Sequence, residues 1–171
     1  LELKVGGRLL TVNLSRDEQG RYLGHNGGAT RTVHDQLHQI WRGLADEGVI
    51  SEEIYKKGTV LNFYKSPEEF MTTLKDTNSA AYRNGLRLVD ERTVYVKCPY
   101  RRRWNEDGDT ATFAAGLMAT IRSWSRHSFA SVAGDTIADQ VYDRLEQRIA
   151  AAPDEWSLDY VEHHQMMEKV A

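Results

Sequence analysis

The chain has 171 residues, 40% hydrophobic and 27% charged, with a formal net charge of −3, which is enough material for one sizeable core. That balance excludes a disordered or fibrous polypeptide and gives no overall pull toward nucleic acid or an anionic membrane surface. The single cysteine, Cys98, cannot close an internal disulfide and suits a reducing cytoplasm, and no run reaches the roughly 20 apolar residues of a membrane span.

Residues 1–5 read as the end of a helix and Gly6-Gly7 as a turn without Cβ clashes. Residues 8–14, apolar and β-branched, read as a central strand with neighbours on both sides. A sequence that opens inside an αβ unit, with no initiator Met, is expected to be the later part of a longer protein. Residues 16–28 are polar and glycine-rich with no apolar period, which predicts a long loop at the strand's C-terminal end, where open α/β sheets hold ligands.

Between residues 30 and 47, Val33, Leu37, Ile40, Trp41 and Leu44 recur at helical spacing behind Thr30 or Thr32 as N-cap, and Gly48 ends the run. Ser51-Glu52-Glu53 opens a second, short helix that stops at Gly58, and residues 59–65 form an extended apolar run. Ser66-Pro67-Glu68-Glu69 combines N-cap, first-position proline and capping box, so a helix follows it with Phe70, Met71 and Leu74 inward.

Residues 86–98 are β-rich, with Val94, Val96 and Cys98 on one face and Pro99 ending the ladder. Residues 100–109 read as a charged loop. Residues 110–127 read as a helix with Phe113, Leu117, Ile121 and Trp124 along one side, and a further helix runs from a cap at Asp135 through Ile137, Val141, Leu145 and Ile149. Periodicity leaves residues 156–170 open between strand and helix. With no repeat or linker in view, the chain reads as one α/β domain: a central strand over 1–15, a helical segment over 30–75, and a sheet edge with two long helices over 86–171.

No metal or catalytic signature emerges. His163 and His164 are adjacent, so they point to opposite sides of a strand or about 100° apart on a helix and do not share one ion. Cys98, in a strand beside Pro99, reads as a buried structural thiol. Gly24-His25-Asn26-Gly27-Gly28 lacks the lysine and spacing of a phosphate loop, and no nucleophile elbow occurs. What remains is a pocket: His34 in the first turn of a helix and Phe63-Tyr64 before the capping box can border one cleft above the opening strand.

The order of these pieces resembles the SABATH-type carboxyl methyltransferases and their bacterial relatives. The resemblance rests on Leu3-Lys4-Val5-Gly6-Gly7-Arg8-Leu9-Leu10, Glu47-Gly48-Val49-Ile50 and Phe63-Tyr64-Lys65-Ser66-Pro67-Glu68-Glu69-Phe70. It continues through Arg122-Ser123-Trp124-Ser125, through Ile137-Ala138-Asp139-Gln140-Val141-Tyr142-Asp143-Arg144, and to Met167-Glu168-Lys169-Val170.

The resemblance implies the C-terminal portion of a Rossmann-like class I methyltransferase sheet: residues 8–14 as fifth strand, residues 30–75 as the helical substrate cap, and residues 86–98 and 156–169 as antiparallel sixth and seventh strands. It implies S-adenosylmethionine as cofactor, a small carboxylic acid as substrate, and His34, Phe63 and Tyr64 as substrate-binding residues, with histidine a departure from the aromatic that plant members carry near that position. The cofactor-binding residues are implied upstream of Leu1, so the 171-residue chain by itself is expected to bind the cofactor poorly.

Cytoplasmic location and a homodimer formed through an unpaired strand edge complete the expectation. A second reading, from a different class, is a non-enzymatic binding domain that contacts a protein or single-stranded nucleic acid through Tyr100-Arg101-Arg102-Arg103-Trp104, a basic run with aromatic flanks. Glu106, Asp107 and Asp109 follow at once and cancel its charge.

Overall fold

A computed structural model describes residues 3–24, 32–60 and 63–170. The chain divides into two compact units: Leu1–Tyr22, Phe63–Val96 and Tyr160–Ala171 form the first, and Leu23–Asn62 and Lys97–Asp159 the second.

The first unit is a three-stranded antiparallel sheet with two helices. Strands β1 (Arg8–Ser15), β2 (Leu86–Val96) and β3 (Tyr160–Lys169) lie in the order β1-β3-β2. The ambiguous tail is therefore the middle strand, beginning at Tyr160 rather than Trp156. Val161, His163, Gln165 and Met167 alternate inward, and pairing on both edges holds them in that register. On the covered face Gln165 accepts from Thr11 at 3.0 Å and donates to the Met71 sulfur at 3.3 Å.

β1 pairs with β3 along its whole length. Its outer edge meets, among the described residues, only Lys65, in a parallel bridge at Ser15. Leu10, Val12 and Leu14, all on one face, remain 58%, 49% and 49% exposed.

Helix α3 (Pro67–Lys75) starts as expected: the Ser66 hydroxyl accepts from the Glu69 N–H and the Glu69 carboxylate accepts from the Ser66 N–H at 2.7 Å. A short helix α4 (Ala80–Arg83), capped by Ser79, was not evident from periodicity because four residues carry too little of it. The expected helix end before Gly6 is instead a turn over the described residues, closed by a Gly7 N–H donating to the Lys4 carbonyl at 2.8 Å with Gly6 at φ +78°. Leu1 and Glu2 lie outside the described residues.

The second unit is helical. Helices α1 (Val33–Asp46), α2 (Glu52–Lys57), α5 (Pro99–Asp107), α6 (Thr110–Ala133) and α7 (Asp135–Ala151) enclose a core that includes Leu37, Ile40, Trp41, Leu44, Leu117, Ile121, Phe129, Val141, Leu145 and Ile149. Each such side chain contributes roughly 1.5–3 kcal/mol by leaving water. Thr32 is the N-cap of α1, in a capping box with Asp35; the alternative cap, Thr30, lies outside the described residues.

Residues 100–109 are not a loop. β2 stops at Val96, so Cys98 is the N-cap of α5 rather than a strand residue: Pro99 occupies the first helical position, the Cys98 sulfur accepts from the Arg101 N–H at 3.4 Å, and Gly108 in the left-handed region ends the helix. The proline logic that announces α3 at Ser66-Pro67 thus applies again at Cys98-Pro99. Two further bounds differ: α6 runs on to Ala133, and the N-cap of α7 is Gly134, at φ +82°, with Asp135 the first helical residue. Between these helices the Ser125 hydroxyl lies 2.8 Å from the Tyr142 hydroxyl in the core, and Arg126 holds Asp135 and Asp139 outside it.

Candidate functional site

The C-terminal end of β1 gathers the chemistry of the first unit. The carbonyl of Lys65 accepts from the Ser15 hydroxyl at 2.9 Å and from the Arg16 N–H at 3.1 Å, and the Arg16 guanidinium pairs with Glu69 at 3.1 Å. These contacts tie the segment Phe63-Tyr64-Lys65 to the strand's end. The Ser66 N–H, then Arg16, hold the Glu69 carboxyl below the usual carboxylate range against a desolvation that raises it.

After β1, residues 17–21 close on themselves. Asp17 is buried, its carboxylate accepting from the N–H groups of Gln19 at 3.0 Å and Arg21 at 2.8 Å and from the Arg21 side chain at 2.7 Å. Burial pushes the Asp17 carboxyl up, but the hydrogen bonds and the guanidinium outweigh it and the net shift is downward. The backbone closes the same turn twice, with the Asp17 N–H donating to the Arg21 carbonyl and the Gly20 N–H to the Asp17 carbonyl, both at 2.9 Å. Tyr95 of β2 adds a hydrogen bond to Glu18 at 2.9 Å.

Tyr22 follows at once, and its ring stacks on Tyr64 with centroids 4.9 Å apart and planes 16° from parallel. Burial, then Tyr22, raises the Tyr64 hydroxyl above its usual range, so it is a neutral hydrogen-bonding phenol at physiological pH. Phe63, the neighbour of Tyr64, is 79% exposed and so is not a core residue.

His34 belongs to the second unit. It is half-buried in the first turn of α1, edge-on to Trp124 at 5.3 Å, and lines a recess of about 50 Å³ with His38, Trp41 and Gly58. Burial lowers its pKa and Asp35 opposes, so the imidazole is neutral at pH 7. Sequence reasoning named Phe63, Tyr64 and His34 but missed Tyr22, Ser15 and Arg16. Tyr22 is an isolated aromatic in a glycine-rich stretch, and only the closed Asp17–Arg21 turn brings it to Tyr64.

The basic run on α5 does not offer a stacking platform. Arg101 donates to the carbonyls of Pro153 at 2.7 Å and Trp156 at 3.0 Å, and Arg103 pairs with Asp107. The Trp104 ring lies between the Arg101 guanidinium at 4.8 Å and Phe113 at 5.6 Å, while the Tyr100 hydroxyl bonds Thr120. Cys98, buried beside them, also donates its N–H to Asp159 at 2.8 Å. His163 and His164 face opposite sides of β3, as adjacent strand residues must. Among the described residues no three metal-ligating side chains converge, and no helix is long and apolar enough to cross a membrane.

The residues at the end of β1 do not fit a nucleoside cofactor. An acid there could hold a ribose, but both Asp17 oxygens are engaged within the loop. We therefore derive no chemical step through S-adenosylmethionine from this chain.

No family model and no curated protein matches the sequence. Among solved structures, a loganic acid methyltransferase with SAH matches 98% of this chain at a TM-score of 0.68 and 12% identity. The chain spans 43% of that protein's length. The likeness is one of fold: these strands and helices have an α/β arrangement similar to part of a methyltransferase.

Proposed function

We propose that this chain is the C-terminal part of an S-adenosylmethionine-dependent methyltransferase of the SABATH type, which methylates the carboxylate of a small molecule. The observation that carries the proposal is the fold match to a loganic acid methyltransferase over nearly the whole chain. In this reading β1 is a strand of a Rossmann-like sheet whose outer edge is continued by residues outside the chain, and the cofactor is held by those residues. Residues 30–75 form the substrate cap, and Phe63, Tyr64 and His34 contact the acceptor.

The chemistry asks for little acid–base help. A carboxylic acid with a pKa near 4 is already ionised at pH 7, so the protein's task is to orient it and keep water away. Aromatic rings suit that task, because they give a rigid apolar wall at little entropic cost. The neutral Tyr64 hydroxyl and neutral His34 add hydrogen-bonding groups without placing a second charge near the acceptor. The buried thiol of Cys98 agrees with a cytoplasmic location, and self-association through the edge of β1 belongs to the same reading for the 171-residue chain by itself, where the residues outside the chain do not cover that edge.

The test is methyl transfer. The complete protein, incubated with isotopically labelled S-adenosylmethionine and a panel of small aromatic, aliphatic and terpenoid acids, is expected to yield a labelled methyl ester by mass spectrometry. Absence of ester from every acid, with the protein folded, would overturn the proposal.

A further inference from the structure

We propose that Tyr22 is a positioning residue of the acceptor site: its ring backs the ring of Tyr64 and sets the direction in which Tyr64 meets a small acid with a flat or compact apolar body. This inference rests on the reading of Tyr64 as an acceptor contact. It is carried by geometry that neither the family resemblance nor the fold match assigns. The two rings stack at 4.9 Å with planes 16° apart, and each lies on a segment fastened separately to the end of β1.

Tyr64 precedes Lys65, whose carbonyl is held by Ser15 and Arg16. Tyr22 follows Arg21, whose N–H and side chain are both held by the buried Asp17 carboxylate. Neither ring is therefore free to swing with a loose loop. An exposed tyrosine alone would sample several rotamers, and an acceptor would have to freeze one of them. Stacked on Tyr22, Tyr64 is ordered before the acceptor arrives, and its other face is fixed in direction. This role belongs to the ring of Tyr22.

Acceptor binding can be read without the cofactor, using benzoate and cyclohexanecarboxylate as probes and the ring resonances of Tyr64 in tyrosine-labelled complete protein. Tyr22→Ala is expected to weaken the tighter-binding probe about three- to ten-fold, the worth of one aromatic pair. Tyr22→Phe is expected to bind within about two-fold of the parent, since it keeps the ring. In turnover with the acid that the parent methylates, the same loss is expected in KM for the acid, with kcat and the KM for S-adenosylmethionine nearly unchanged.

A parent that binds neither probe and esterifies no acid sinks the acceptor reading itself. A parent that binds while Tyr22→Ala binds equally well sinks only the role of Tyr22. Equal losses in Tyr22→Phe and Tyr22→Ala, or a fall in kcat matching the rise in KM, assign Tyr22 to folding alone and overturn the proposal. The amide spectrum of β3 checks that each variant keeps its sheet.

Discussion

His163 makes the stability of the first unit depend on pH, in a direction fixed by its surroundings. The side chain is 1% exposed in the middle of the sheet, stacked on Phe70 at 5.7 Å, and among the described residues neither ring nitrogen has a hydrogen-bond partner. The charged group that faces it is the Glu91 carboxylate at 3.4 Å, with Lys65 over the Phe70 ring at 5.8 Å; His164 is its chain neighbour on the opposite face of the strand. Burial lowers the pKa of His163; Glu91 works against the shift and His164 with it.

A histidine whose folded pKa is depressed binds fewer protons in the native state than in the unfolded one. Stability is therefore full above the unfolded value near 6.5 and falls as the pH drops below it, by at most about 1.4 kcal/mol per pH unit for one site. Going from pH 7.5 to 5.5 should therefore lower the stability of the first unit through this residue. His163→Leu removes both orphaned nitrogens, whose desolvation costs about 1–3 kcal/mol in such sites, against a smaller loss of ring stacking. The variant is thus expected to be more stable than the parent by about 1 kcal/mol, with the pH slope removed.

All four tryptophans, Trp41, Trp104, Trp124 and Trp156, lie in the second unit, so their fluorescence does not report this effect. Hydrogen exchange of the β3 amides, corrected for intrinsic rates at each pH, does. A parent whose β3 amides are better protected at pH 5.5 than at 7.5, or a His163→Leu variant with the parent's slope, would refute the argument.

Three further outcomes follow from the geometry. Gly58→Ala would place a Cβ 2.5 Å from the buried Trp41 ring and displace the indole from its 3.0 Å bond to the Tyr55 carbonyl, costing the second unit about 1–3 kcal/mol; urea unfolding followed by tryptophan fluorescence measures it, and an unchanged midpoint contradicts it. Ser66→Ala removes the hydroxyl that caps α3 and should lose about 1 kcal/mol, visible as faster exchange of the Glu69 and Phe70 amides and absent if the cap is dispensable. The outer edge strand β1 carries no charge between Leu9 and Leu14, whereas β2 carries Asp90, Glu91 and Arg92 beside a register shift. Sedimentation of the 171-residue chain should accordingly show concentration-dependent self-association, and a monomer at every concentration would remove the reason for it.

Local signals in the sequence were read where their physics is local. A capping box needs only Ser66 and Glu69 three residues apart, and the apolar spacing of α1 and α7 needs only the pitch of a helix. Residues 100–109 were misread because their charges outweighed a start signal of the same kind, Cys98-Pro99, whose cap is a sulfur rather than a hydroxyl. The tail offered both periods weakly, and β3 became a strand only because β1 and β2 bind its two edges. Similarly, Phe63 and Tyr64 could be singled out from their place before a capping box, while their opposite fates, one ring exposed and one stacked, depend on what stands beside them.

The sequence by itself determined where most helices start, that Cys98 would be an unbridged thiol, and that adjacent His163 and His164 would face opposite ways, since these follow from chain geometry and residue chemistry alone. Tertiary structure decided which strand is central, that His163 is buried with no hydrogen-bond partner among the described residues, and that Tyr22 meets Tyr64 across 42 positions of sequence. Those contacts arise from the register of strands far apart in the chain and from a turn closed around Asp17, and no local pattern encodes either.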